Sequence, residues 1–303
     1  MKVSVITPFY NGNAYIHDYE EMMAANERSL ASGDVLEVVL VNDSPEVAVG
    51  LSGIYASRAN WRVITNEKNV GIHASRIHGL SEASGDYIIF LDQDDRLAED
   101  AVACMLEEAR SLARESQQRL CYQVIVANAG LEQSDGTMVP WYRTGFHQKQ
   151  IGNIRAYVSV GTQIMSPGQC MLAKEIIPRE WLTHVVTVNG ADDYYLWLLL
   201  LDKGIDFHYL DEILYEHHYT EQNLSADTGQ TDRSTEQFIG YLEESGFPER
   251  LLRTLERQTA YKHDFRRSDR VQKLLLSLKN MDLFLANAYF KLRSRTAYGF
   301  NRA

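Results

Sequence analysis

Three carboxylates crowd a single turn: Asp92, Asp94 and Asp95 follow directly on the apolar run 87–91. Like charges gathered at one strand end are electrostatically costly unless a cation joins them. Oxygen donors of this kind suit a hard divalent ion such as Mg²⁺ or Mn²⁺, which also binds a diphosphate. The plainer explanation is a helix N-terminus, with Asp94 or Asp95 capping the helix that follows. A second acidic pair, Asp192-Asp193, opens the apolar run Tyr194 to Leu201. There too a helix macrodipole favours acids in the first turn. One Asp needs no more than that. Two such pairs in one chain ask for more.

The elements that must position these residues are readable from periodicity. Residues 2–10 form a buried strand ending near Pro8, and 14–32 a helix stopped by Gly33. Residues 36–41 form a second strand, closed by the turn Asn42-Asp43-Ser44-Pro45, and 61–65 a short third one. A helix over 72–84 ends at Gly85-Asp86, a strand follows over 87–91, and a helix over about 99–114. The alternation predicts an α/β chain with a mostly parallel, Rossmann-like sheet flanked by helices. Polar residues gather after the carboxyl ends of the strands, where open α/β sheets bind ligands. The stretch 134–168 reads as a strand pair plus a loop, 190–203 as a helix, and from about Thr231 onward the chain is mainly helical.

Composition bounds the function. The chain has 303 residues, 45% hydrophobic and 23% charged, an ordinary globular balance. Its longest apolar run holds eight residues, far short of the roughly 18 needed to cross a bilayer. No charged segment followed by an apolar one opens the chain, so no signal peptide is expected. Cys104, Cys121 and Cys170 have neither zinc nor disulfide spacing, which fits a reducing cytosol. A net charge of −11 disfavours nucleic acid as a partner. That charge is uneven. Residues 262–303 hold ten Lys/Arg and three Asp, a net +7, leaving −18 for the rest.

From Asn69 the chain reads NVGIHASRIHGLSEASGDYIIFLDQDD. This segment resembles the family 2 glycosyltransferases of the GT-A fold, through Asn69, Gly71, Arg76, Gly79, Ala83, Gly85, Tyr87, Phe90, Leu91, Asp92, Asp94 and Asp95. Ile77 stands where that family usually has Asn. The opening VSVITPFYNG, the turn VNDSP, the segment ADDYYLWLLLLDKG and the segment YEHHYTEQNLS resemble further motifs of the family, in its order. The departures are Asn42 for an Asp, Ser44-Pro45 for Gly-Ser, Asp192 for Glu and Glu216 for Arg. The resemblance covers about residues 2–225.

The resemblance implies metal-dependent, inverting transfer of a sugar from a nucleotide-diphosphate donor to a hydroxyl of a saccharide or lipid-linked acceptor, in polysaccharide or glycan synthesis. Thr7, Pro8 and Tyr10 would border the base. Asp43 would accept from uracil N3–H, favouring a UDP-sugar. Arg76 would lie near the diphosphate, and Asp92 at the ribose or metal, with Asp192 in the same donor site. Asp94 would bind Mn²⁺ or Mg²⁺, with His218, or its rival His217, touching the metal or the diphosphate. Asp193 would be the general base. A nucleotidyltransferase remains the alternative enzyme, although the first loop, TPFYNGNAY, has one Gly and no Lys or Arg. A binding module that has lost the chemistry is the non-enzymatic alternative.

Two regions are expected: 1–230 for nucleotide-sugar binding and catalysis, and 231–303 as a helical extension. In the latter, Val271, Leu274, Leu275, Leu278, Met281, Leu285, Ala288 and Leu292 fall on one helical face, with Lys273, Lys279, Lys291, Arg293 and Arg295 nearby. Such a stripe packs on protein, as a homodimer or against the catalytic part, or lies on an anionic membrane. The expected location is cytoplasmic, with peripheral contact at the inner face of the membrane as the second possibility.

Overall fold

Apolar runs buried on both faces make the centre of the molecule, as their sequence requires. In the computed structural model, which describes residues 1–132, 137–217 and 228–296, β1 (Lys2–Phe9) is buried along all but its first residue. It is followed by α1 (Ile16–Ser29), β2 (Val35–Asn42), the single turn α2 (Gly53–Ala56), β3 (Trp61–Thr65), α3 (Ile72–Glu82) and β4 (Tyr87–Phe90). β1 lies between β2 and β4 and parallel to both, with Val5 opposite Val38 on one side and Ile89 on the other. β3 adds to β2, also in parallel. The expected strands and helices of this half are present, with ends displaced by one to three residues.

The second half is mixed. After β5 (Arg96–Leu97) and α4 (Ala101–Glu115) come β6 (Val124–Glu132), β7 (Met138–Pro140), α5 (Gly145–Gln148), α6 (Ile154–Val160), β8 (Cys170–Ala173), α7 (Arg179–Thr183), α8 (Asp192–Asp202) and β9 (Phe207–Glu216). Among the described residues nine strands join in one sheet, ordered β3-β2-β1-β4-β8-β6-β9-β5, with β7 paired to β6. β8 is antiparallel to both β4 and β6 and so links the parallel half to the rest. β9 returns parallel to β6.

The region read as a strand pair plus a loop differs. Among the described residues of that stretch, β7 is the one strand, hydrogen-bonded to β6, and it is followed by the two short helices α5 and α6. Thr144 and Asn153 cap those helices by accepting from the backbone N–H of His147 and Arg155. The segment Ile154–Val160 is helical, with Ala156, Tyr157, Val158 and Val160 buried.

The C-terminal helices close over the same core. In α9 (Thr228–Glu244), Phe238 stacks on Tyr195 with ring centroids 5.7 Å apart. In α10 (Glu249–Arg267), Leu252 and Leu255 join the core cluster, and Gln258 donates to the Val160 carbonyl at 3.2 Å. The periodic stripe over 271–292 spans two helices, α11 (Arg270–Lys279) and α12 (Met281–Ser294), broken at Asn280. Of the expected alternatives, packing of this stripe against the catalytic part is not what forms: the stripe faces solvent. The buried side of α12 is Leu283, Asn287 and Phe290, resting on α5 and α6. No helix among the described residues is long and apolar enough to cross a membrane.

Candidate active site

The two acidic pairs meet, and a single arginine joins them. Arg76, on α3, is 4% exposed. Its Nη2 donates to Asp92 Oδ1 at 2.6 Å and its Nη1 to Asp192 Oδ2 at 2.7 Å. The turn after β4 and the first turn of α8, a hundred residues apart in sequence, are therefore fixed to one another through a buried cation. Burial alone would lower the pKa of the guanidinium, but Asp192 and Asp92 more than offset this and raise it. Arg76 stays charged. Since it donates to both carboxylates, this arginine works first as a brace.

The carboxylates around the brace are perturbed together. Burial, then the neighbouring charges of Asp95 and Asp92, push Asp94 up to about 6. Burial also raises Asp92, with the Arg76 charge opposing it. Asp193 is pushed up to about 7 by burial and by the adjacent Asp192, again against Arg76, and its Oδ1 accepts from the Tyr194 N–H at 2.8 Å. A carboxyl group that titrates near neutrality beside an acidic turn is a group suited to proton transfer.

Asp95, the third acid of the turn, has a different task. It is buried beneath the site, where it accepts from the Tyr215 hydroxyl, from Ser166 Oγ at 3.2 Å and from His217 Nδ1 at 2.9 Å. Burial works against the charged imidazole, but Asp95 donates enough stabilisation to leave the pKa of His217 raised. Of the two candidate histidines, His217 thus joins the acidic turn at the end of β9. His218 lies outside the described residues.

The middle of the acidic turn is tied to the first loop. Gln93 accepts from the Tyr10 N–H at 2.8 Å and donates to the Tyr10 carbonyl at 3.1 Å. Gly12 permits this, because a Cβ there would stand 2.3 Å from Gln93 Oε1. Tyr10 itself is half exposed at the end of β1, while Thr7 is buried and paired with the Tyr19 hydroxyl at 2.8 Å. Pro8 is buried between them in the same strand.

Asp43 is buried at the end of β2. Its Oδ1 accepts from Asn66 Nδ2 and the Val70 N–H, and its Oδ2 from the Gly71 N–H, all at 2.8–2.9 Å. It thereby fixes the loop that starts α3, the helix carrying Arg76. Gly71 has φ +89°, a conformation that favours glycine, and a Cβ there would lie 2.8 Å from Asn189 Oδ1. Asn189 accepts from the Ile72 N–H at 3.0 Å, so the chain just before α8 also holds the start of α3.

Sequence reasoning missed the supporting set: Gln93, Ser166, Asn189 and Tyr215. Each acts through a partner distant in sequence: Gln93 on Tyr10, Asn189 on Ile72, and Ser166 and Tyr215 on Asp95, and nothing in the spacing of either partner announces the contact. Asp95 was visible as a motif residue, but its role as a buried acceptor was not.

The donor set fits a divalent cation in a particular way. No group of three or more His, Cys, Asp or Glu among the described residues is arranged to hold a metal by itself. Mg²⁺ and ions like it commonly take one or two carboxylates and complete their shell with water and substrate phosphate. Asp94, with the share of Asp92 not engaged by Arg76, offers that. A cation there would relieve the repulsion that raises Asp94.

The parallel half, the acidic turn after β4 and the second acidic pair opening α8 are the arrangement that the resemblance to family 2 glycosyltransferases of the GT-A fold implies. The comparisons with known proteins agree. The profile of glycosyl transferase family 2 matches residues 4–174. The cholesterol galactosyltransferase of Borreliella burgdorferi is 30% identical over 115 residues, 36% of this chain and 30% of that one. The uncharacterized glycosyltransferase EpsJ of Bacillus subtilis is 36% identical over 109 residues, 35% of this chain and 30% of that one. The matched segment thus spans under a third of each relative. Among solved structures, S. aureus TarS 1-349 in complex with UDP-GlcNAc superposes with a TM-score of 0.57 at 17% identity, covering 94% of this chain and 81% of that one. The chain belongs to glycosyl transferase family 2.

Proposed function

We propose that the protein transfers a hexose from a UDP-sugar to an acceptor hydroxyl with inversion at C1, with Asp193 as general base and Mn²⁺ or Mg²⁺ as cofactor. The observation that carries this reading is the Asp92–Arg76–Asp192 bridge. It sets a carboxyl group that titrates near neutrality at a fixed place relative to the acidic turn.

The acceptor oxygen is a poor nucleophile until its proton is taken. In the proposed step the Asp193 carboxylate accepts that proton while the oxygen bonds to C1. The C1–O bond to the diphosphate breaks on the opposite side, and the electron pair leaves with UDP. One base facing one leaving group is what a single inverting displacement needs. When bound, the cation supplies charge stabilisation for the departing diphosphate. Asp94 would hold it, with Asp92, and His217 stands beside the turn on Asp95. Tyr10 offers a half-exposed ring to the base. The carboxylate of Asp43 has about four acceptor sites, of which three are used, and the remaining one is assigned to uracil N3–H.

The uridine donor has support from the TarS complex with UDP-GlcNAc, which shares the fold. A lipid or lipid-linked acceptor has support from two relatives named for such acceptors, the cholesterol galactosyltransferase and a dolichol-phosphate mannosyltransferase of Pyrococcus furiosus that is 29% identical over 111 residues. The test is UDP release from a panel of UDP-sugars with saccharide and lipid-linked acceptors. Activity is expected with Mn²⁺ or Mg²⁺, loss with EDTA, and restoration on adding the ion back. Turnover indifferent to chelation would remove the cofactor, and turnover with a sugar phosphate plus a nucleoside triphosphate would favour nucleotidyl transfer instead.

A further inference from the structure

The helical face that the sequence marks as apolar is uncovered. In α12, Leu283, Asn287, Phe290 and Ser294 turn inward, and Met281, Leu285, Ala288 and Leu292 occupy the opposite side of the same helix. Leu292 is 76% exposed and Leu285 56%. In α11 the same holds for Val271, Leu274, Leu275 and Leu278, all more than half exposed, while Ser277 faces inward to the Tyr261 hydroxyl at 3.0 Å. Large apolar side chains concentrated this way mark an interaction surface, unlike single exposed ones.

The charges around that surface say what it meets. Residues 269–295 hold six Lys/Arg and two Asp, in a chain whose net charge is −11. Both acids are engaged locally. Asp269 caps α11 through the N–H groups of Val271 and Gln272, and Asp282 is paired with Arg257 at 2.7 Å. Arg270, Lys279, Lys291, Arg293 and Arg295 are exposed. Phe284 and Tyr289 stand beside the outward stripe of α12, both partly exposed. Next to Leu275 lies a cleft of about 380 Å³ whose lining also holds Arg267 and Lys279 beside one acid, Asp264, and the apolar Leu276.

We propose that the outward faces of α11 and α12 form a peripheral docking surface for an anionic lipid bilayer. Apolar side chains enter the acyl boundary, and the lysines and arginines reach the headgroup phosphates. A second copy of this chain is the poorer occupant, because an isologous contact through these faces sets one basic fringe against another. A bilayer of acidic lipids accepts both the stripe and its charge. The inference stands apart from the transfer chemistry, since none of its residues belongs to the acidic site.

The test is flotation of the full chain with vesicles of phosphatidylcholine alone and of phosphatidylcholine mixed with phosphatidylglycerol. Co-flotation with the mixed vesicles only, weakened by added salt, is expected. Leu275→Glu with Leu285→Glu should abolish it while the melting temperature is unchanged, since both side chains are exposed. Lys279→Gln and Lys291→Gln should each weaken partitioning about fivefold. Absence of flotation on anionic vesicles overturns the proposal. So does sedimentation showing a concentration-dependent dimer that the double Glu variant dissolves, without lipid binding.

Discussion

At the scale of residues, the site separates groups that react from groups that hold. Asp193 belongs to the first kind. Its carboxyl is pushed up to about 7 by burial and Asp192, and the ionised form is the base. The sign follows directly: below that value the acid is protonated and transfer is slow, and kcat/KM rises through about pH 7 to a plateau. Asp193→Asn should lower the rate by about 10²–10⁴ while UDP binding, measured by calorimetry, stays near the parent value. A variant with full turnover would remove Asp193 from the chemistry. Arg76 belongs to the second kind. Arg76→Met leaves Asp92 and Asp192 without their buried cation, a change that costs about 3–5 kcal/mol, read in chemical denaturation. Arg76→Lys keeps the charge but has no fork to reach both acids. It should recover part of the stability and little of the transfer. If Lys restores both, charge alone suffices and the bridging geometry is not needed.

At the scale of elements, legibility depended on whether local pattern and tertiary packing agreed. β1, β2 and β4 are apolar runs buried on both faces, so length and composition determine them, and the acidic turn after β4 was readable with them. The stretch 134–168 went the other way: it was read as a strand pair plus a loop, and it holds the short helices α5 and α6, whose caps Thr144 and Asn153 give only a weak local signal. In the site, Asp92, Asp94, Asp192 and Asp193 stood out because acids next to apolar runs are rare. Gln93, Asn189 and Tyr215 did not, because a hydrogen bond across the fold leaves no mark in spacing. The tail makes the same point for helices. Periodicity showed that α11 and α12 have an apolar stripe but not that Leu283 and Phe290, off the stripe, carry the packing. The two faces predict opposite outcomes. Phe290→Ala, beside His147 and Phe146, should cost about 3–5 kcal/mol of stability. Leu292→Ala, 76% exposed, should change it by less than about 0.5 kcal/mol. Thermal melts of the two variants decide, and equal losses would mean that the stripe is covered after all.

At the scale of the whole molecule, the question is whether the helical extension is an appendage. Motifs end near residue 225, which suggests a division at about 230. The core does not end there. Phe238 lies against Tyr194 and Tyr195, the first aromatic residues after the acidic pair of α8, with ring centroids 5.3 and 5.7 Å apart. Leu242, Phe247, Leu252 and Leu255 continue the same buried cluster. Apolar contacts of this kind stabilise by area: each large apolar side chain fully removed from water contributes about 1.5–3 kcal/mol, and five of them rival the total stability of an ordinary domain. Gln237 adds a polar tie, since its Oε1 accepts from the Thr187 N–H at 3.0 Å, just ahead of Asn189 and α8. A chain cut after residue 230 therefore loses the wall behind its proposed base. It should keep the far-ultraviolet signal of β1 to β9 and α1 to α8 while losing that of α9 to α12, and show a broad or absent melting transition and no UDP-sugar binding, while the intact chain melts in one cooperative step. A cut chain that melts sharply and still binds the donor would establish the first 230 residues as a domain in their own right and make α9 and α10 an addition to it.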